Sequence, residues 1–202
     1  MPREKRYRWR RRVIGIVVAP AVVLACLSRP AILEDTWADV GVDLVAWLAL
    51  ATGAALRLWS TMYIGGRKSE TVIAEGPYSL CRNPLYVGTF LLGLSLGLFL
   101  KSLTVVAAVS VGMLVYASAT IPAEERFLNE RFGDAYRAYC AKAPRFMPGL
   151  GRFHASETVE VNLRALRKEL KAAVGWIAIP FLTEVVVHGR QQAWWPTLLR
   201  LP

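Results

Sequence analysis

Residues 85–121 read LYVGTFLLGLSLGLFLKSLTVVAAVSVGMLVYASATI, two apolar runs separated only by Lys101 and Ser102. Neither Leu85 to Leu100 nor Leu103 to Ile121 contains a charged residue. Each approaches the roughly 20 residues that cross a hydrocarbon core as a helix. Two residues between them leave room only for a tight turn, so the pair is expected to fold as an antiparallel helical hairpin.

Three further runs lie outside the hairpin. Val13 to Ser28 follows a strongly basic head (Arg3, Lys5, Arg6, Arg8, Arg10, Arg11, Arg12) and contains Pro20. A basic head before a short apolar run also describes a signal peptide, but no small-x-small cleavage site follows, so a retained first helix is expected. Val40 to Trp59 carries Asp43 near its start, and Ala172 to Val187 carries Pro180 and Glu184. The fold class expected is therefore all-α: one polytopic membrane bundle over residues 1–202 with about five transmembrane helices, the last either spanning or re-entrant.

Charge sets the expected orientation. The net charge is +10, which in a soluble chain would invite a nucleic-acid reading. Here the surplus sits beside the apolar runs. Alternation through five spans puts 21 of the 25 Lys and Arg on the side of residues 1–12, 57–84 and 122–171. That is the positive-inside pattern, and it predicts a cytosolic N-terminus. No nucleic-acid partner is expected. Cys26, Cys81 and Cys140 share no motif spacing and His154 and His188 stand apart, so no metal site is expected.

Two cytosolic stretches then remain. Ser60 to Asn83 reads as a loop with turn signals at Gly65-Gly66 and Gly76-Pro77. Pro122 to Lys142 reads as a helix: proline suits a first turn, and Glu124 and Glu125 sit at its positive dipole end. Leu128, Phe132, Ala135 and Tyr139 recur at helical spacing, with Gly133 as an interruption. Glu157 to Lys171 puts Leu163, Leu166 and Leu170 on one side and Arg164, Arg167, Lys168 and Lys171 around the rest. It reads either as a helix lying in the interface on anionic lipid or as a solvated helix on the bundle, separate from the last span at 172–187.

Because the hairpin turn lies on the far side, the loop entering Leu85 and the acidic pair leaving Ile121 meet on the cytosolic side. A polar pocket of Arg82, Asn83, Tyr86, Glu124 and Glu125, with Tyr136 and Tyr139 near, is expected there. Taken singly, Arg82 is also an ordinary charge anchor, Tyr78 and Tyr86 ordinary interfacial tyrosines, and the glutamates ordinary helix-start acids.

Together these residues resemble a known family. Gly76-Pro77-Tyr78 followed by Arg82-Asn83-Pro84-Leu85-Tyr86-Val87-Gly88 is similar to the first element of the isoprenylcysteine carboxyl methyltransferases, to which phospholipid methyltransferases are related. Glu124-Glu125 and Leu128, then Phe132-Gly133, Tyr136 and Tyr139, then Pro144-Arg145-Phe146 and Pro148, resemble the second element in order and spacing. The likeness covers about residues 44–150. It implies a membrane methyltransferase that binds S-adenosylmethionine in a cytosolic-facing pocket and takes a lipophilic small molecule or lipidated peptide from the bilayer.

The resemblance further implies Glu124, Glu125 and Arg82 as catalytic residues. It implies Tyr78, Arg82, Asn83, Pro84, Tyr86, Gly88, Glu124, Tyr136 and Tyr139 as cofactor-binding residues. Arg82 would hold the cofactor's carboxylate; Glu124 would hold its amine or ribose, orient the substrate, or act as base toward an amine. Two positions depart from the pattern. Asn83 stands where histidine is commoner, and it cannot titrate. Thr120 stands about one turn before the acidic pair, where members acting on a prenylcysteine carboxylate carry arginine. O-methylation of a carboxylate and N-methylation of a phospholipid or other amine thus both stay open, beside a non-catalytic lipid-binding scaffold. A transporter fits less well, because few ionisable residues lie within the runs.

Overall fold

The computed structural model describes residues 15–16, 18–29, 31–32, 36–67, 70–149, 151, 153–192 and 194–196. The basic head at residues 3–12 and the acids Glu34 and Asp35 lie outside them. Residues 18–26 are helical. Then follow α1 (Trp37–Ile64), α2 (Pro77–Leu80), α3 (Pro84–Phe99), α4 (Leu103–Val115), a π-helical turn (Tyr116–Thr120), α5 (Ile121–Phe132), α6 (Asp134–Lys142) and α7 (Leu163–Gln191). No β-strand forms among the described residues.

Among the described residues three helical stretches are long and apolar enough to cross a membrane: Trp37–Ile64, Leu103–Phe132 and Leu163–Gln191. The apolar α3 is shorter, with 16 residues. At 1.5 Å per residue it reaches about 24 Å, less than the ~30 Å of a typical hydrocarbon core.

Two expectations are corrected. Pro122 does not open a detached helix. α4 runs through the π turn into α5, and Pro122 sits in the first turn of α5. A proline lacks the N–H and crowds the preceding turn, and a wider π turn just upstream relieves both problems. Nor is the basic stretch ending at Lys171 a helix apart. Residues 163–171 and 172–187 belong to one 29-residue helix that passes through Pro180. Residues 157–162, read as helical from the sequence, are not helical.

The chain divides into two compact units, residues 1–49, 93–116 and 178–202, and residues 50–92 and 117–177. In the first, α3 and α4 form the hairpin. Gly97 faces Val106 and Gly93 faces Val109, so the absence of side chains on α3 admits valines from α4. Ser102 caps α4 by accepting from the Val105 N–H, and Lys101 takes a left-handed φ of 49° to make the turn. The Lys101 side chain is buried, pairs with Asp39 and lies 3.9 Å from Asp43. Arg190 is buried as well. Its Nε donates to the Ser28 carbonyl at 2.7 Å and its Nη1 to the Leu100 carbonyl at 2.7 Å.

In the second unit α1 and α3 cross closely. A Cβ on Gly88 would lie 2.9 Å from the Gly53 carbonyl oxygen and 2.7 Å from Cγ of Arg57. Bare backbone at that point lets Arg57 lie across α3. Its Nη1 donates to Thr89 Oγ1, its Nε to Glu169 of α7 at 2.7 Å, and it stacks 5.2 Å above Trp176. Two charges in apolar helices are tolerated here because the pairing and its hydrogen bonds offset the cost of desolvating them.

Candidate active site

The site grows from a tight turn. Gly76 has φ 59°, and a Cβ there would come within 2.3 Å of the Tyr63 ring. Only glycine takes that backbone under that ring without strain. Pro77 then starts the single turn of α2, which ends at Cys81.

Backbone bonds lace this turn to a distant stretch. Gly76 N–H donates to the His154 carbonyl (2.9 Å), Arg82 N–H to Pro144 (2.8 Å) and Gly149 N–H to Leu80 (3.0 Å). Asn83 Nδ2 donates to the Arg145 carbonyl at 3.1 Å, and the Tyr139 hydroxyl donates to the Tyr78 carbonyl at 2.9 Å. The two sequence elements around the hairpin are thereby held in one place. Beneath them Tyr136, Tyr139 and Ala143 are buried, packed by Val72, Ala74, Leu128 and Phe132.

Charges are arranged on this frame. Glu125 Oε1 lies 3.2 Å from Arg82 Nη1, and both Glu125 oxygens accept from Arg145. Arg82 Nη1 also donates to Cys140 Sγ at 2.9 Å. Burial alone lowers the Arg82 pKa, but the Cys140 contact and the Glu125 charge outweigh it, so the net shift is upward. Glu124 looks elsewhere, because successive helical residues point about 100° apart. Its Oε2 accepts from the Tyr86 hydroxyl at 2.9 Å.

The sequence-predicted residues thus fall into groups. Arg82, Glu125 and Tyr136 line a cleft of about 390 Å³, together with Cys140 and the α5 residues Pro122, Arg126 and Asn129. That volume lies in the ~300–1,000 Å³ range of small-molecule sites. Tyr78 and Tyr139 are buried below, and Pro84 is buried at the start of α3. Tyr86 belongs with Glu124. Gly88 stands at the α1–α3 crossing. Sequence reasoning missed Cys140 and Arg145 as partners of the site. Arg145 stood in a quoted motif, whereas Cys140 had only its place next to Tyr139 as a signal.

One observation fits a polar ligand near these residues. The Tyr78 hydroxyl and Arg82 Nε are buried and make no hydrogen bond among the described residues. Such atoms are costly to bury unless something completes them. One is a guanidinium donor suited to a carboxylate, and the other a phenol suited to an amine or hydroxyl.

Burial, with nearby Tyr139, raises the Tyr78 hydroxyl well above its ordinary pKa of 10.0. Burial is also the first cause of the rises at Tyr136 and Tyr139. The fold therefore favours the neutral phenols. That contribution is complete below pH ~10, the unfolded value, and is lost as the pH rises above it. In folded protein, these three of the seven tyrosines are expected to resist titration through pH 10. Their tyrosinate absorbance should rise only as the thermal unfolding midpoint falls. A smooth titration of all seven near pH 10 without unfolding would contradict the burial.

The family model for phospholipid methyltransferases matches residues 38–135, which include the Gly76 to Gly88 element and both glutamates. The nickel-cobalt-cadmium resistance protein NccN of Alcaligenes xylosoxydans xylosoxydans is 31% identical over 194 residues, 95% of this chain and 91% of the relative. The cobalt-zinc-cadmium resistance protein CzcN of Cupriavidus metallidurans is 31% identical over 176 residues, 86% of this chain and 81% of the relative. A protein-S-isoprenylcysteine O-methyltransferase of Schizosaccharomyces pombe is 31% identical over 81 residues, 40% of this chain and 34% of the relative. No solved structure matches. Among the described residues no group of three or more His, Cys, Asp or Glu is placed to hold a metal ion.

Proposed function

The chain belongs to the phospholipid methyltransferase family, which also takes in isoprenylcysteine methyltransferases, and from that premise we propose that it is an S-adenosylmethionine-dependent membrane methyltransferase acting on a lipid or lipidated substrate. The observation that carries the proposal is the convergence of two distant sequence elements on one charged cleft, whose lining residue Arg82 has a buried Nε without a hydrogen-bond partner. The two long relatives are named for resistance to metal cations, and we take the methylation to serve a trait of that kind. Five membrane segments, with the N-terminus and the cleft cytosolic, accord with the Lys and Arg asymmetry. All 202 residues form one methyltransferase domain in this reading.

When bound, the cofactor supplies a methyl group already activated on a sulfonium, so the chain's work is alignment and exclusion of water. Arg82 holds a carboxylate through its unused Nε. Glu125, clamped by Arg145, fixes the plane of the Arg82 guanidinium and in this reading supports rather than reacts. Tyr78 offers a neutral hydroxyl. Asn83 ties Arg145 in place and moves no proton. Glu124, oriented by the Tyr86 hydroxyl, takes the cofactor's amine or ribose, or accepts a proton from an amine nucleophile. Tyr136 and Tyr139 form a dry floor. Thr120 supplies no arginine for a prenylcysteine carboxylate, so this position favours neither a carboxylate nor an amine headgroup as acceptor.

Calorimetric titration of detergent-purified protein with S-adenosylmethionine is the test. Specific binding is expected, weakened by about tenfold or more in Glu124→Gln, since hydrogen bonds to a charged group contribute about 1.5–3 kcal/mol. A folded protein that binds none would remove the methyltransferase reading and favour the lipid-binding scaffold.

A further inference from the structure

The outward face of α7 changes character along its length. Arg164, Arg167, Lys168 and Lys171 are all exposed and, at spacings of three and four, form one ridge. Beyond Ala172 most exposed side chains are apolar, Val174, Ile177, Phe181, Leu182 and Val185, with Glu184 as the acid among them. The inward positions Leu166, Glu169, Ala173 and Trp176 keep one stripe through the change. The helix thus carries cations and then mainly apolar side chains on its exposed surface, a change that fits the start of hydrocarbon. At 1.5 Å per residue the four cations stand about 1.5–12 Å above that boundary. Their side chains are long enough to meet at headgroup depth.

Among the described residues no acid pairs with any of the four. The nearest acids are committed elsewhere, Glu169 to Arg57 and Glu160 to Arg67. Arg164 with Arg167 and Lys168, and Lys171 with Arg167 and Lys168, are like-charge neighbours that oppose the helix. Such an arrangement calls for anions from outside, and the four side chains alone bound a surface recess of about 380 Å³.

We infer that this ridge is a binding surface for the phosphate headgroups of anionic membrane lipid. The occupant follows from the helix itself: any anion meeting the ridge does so beside an acyl-chain region that Val174 and Ile177 already face. The inference is independent of methyl transfer.

The test uses the full chain in neutral detergent with added phosphatidylglycerol, phosphatidylcholine or inorganic phosphate. Bound lipid is counted by native mass spectrometry, and thermal unfolding is followed in parallel. Phosphatidylglycerol is expected to bind at least ~10-fold better than phosphatidylcholine and to raise the unfolding midpoint, given the contribution of each Lys or Arg near a charged surface. The R164Q/R167Q/K168Q/K171Q chain should lose that preference, while R164K/R167K, which keeps the charge, should retain it. Equal binding of both lipids, or a preference that survives neutralisation, overturns the inference. Protection by inorganic phosphate equal to that by phosphatidylglycerol would make the ridge a free-anion site and overturn it too.

Discussion

Alanine at Arg82 is expected to lower methyl transfer on the order of 10²–10³-fold, the usual loss when one positioned donor leaves a polar site. The protein should still fold. Glu125 keeps Arg145 as a partner, so no buried carboxylate is stranded, and the Arg82 backbone bond to Pro144 does not depend on the side chain. Arg82→Lys should recover little. It restores the charge but not the planar fork, whose Nη1 meets Glu125 and Cys140 while the buried Nε keeps a further donor. The measurement is turnover in detergent with S-adenosylmethionine binding alongside. Full turnover in the alanine variant would remove Arg82 from the site, whereas loss of both turnover and thermal stability would make it a structural residue.

Valine at Gly76 is expected to cost roughly 3 kcal/mol or more of stability. Backbone with positive φ strains a non-glycine residue by about 1–3 kcal/mol. Pushing the Tyr63 ring away from a Cβ that would sit 2.3 Å from it adds overpacking of ~1–3 kcal/mol. The two parts separate in a second pair of variants. Gly76→Ala alone should carry both penalties, whereas the same change made in Tyr63→Ala protein, which bears its own truncation cost, should carry only the strain. Thermal unfolding of the three variants and the parent closes the cycle. No change in Gly76→Val would mean that the turn relaxes to another conformation.

The hairpin was readable because two uncharged runs around Lys101-Ser102 admit one arrangement. The meeting of the two elements was readable for the same reason, since a hairpin returns the chain to its starting side. Helix continuity was hidden at two places. Hydropathy changes at Lys171-Ala172 while the backbone does not, so a break in composition was read as a break in structure. At Pro122 the proline rule held locally, but a π turn absorbed its consequence. Site partners were hidden where contacts are long-range. Cys140 meets Arg82 across 58 positions, and no local pattern encodes such a pairing. Gly88 read as part of a binding motif, and the structure gives it a close packing place beside Gly53.

Arg57 and Glu169 lie 112 positions apart, and that separation has a meaning in time. A ribosome adding roughly 5–20 residues per second delivers Glu169 about 6–22 s after Arg57. Throughout that interval the arginine has no such carboxylate to meet, and its apolar helix has already been made. A guanidinium in that position stays at the water's edge by extending its stem. Until Glu169 is made, α1 is therefore expected to sit nearer the interface than in the finished chain. The carboxylate that settles Arg57 comes from α7, the last helix among the described residues.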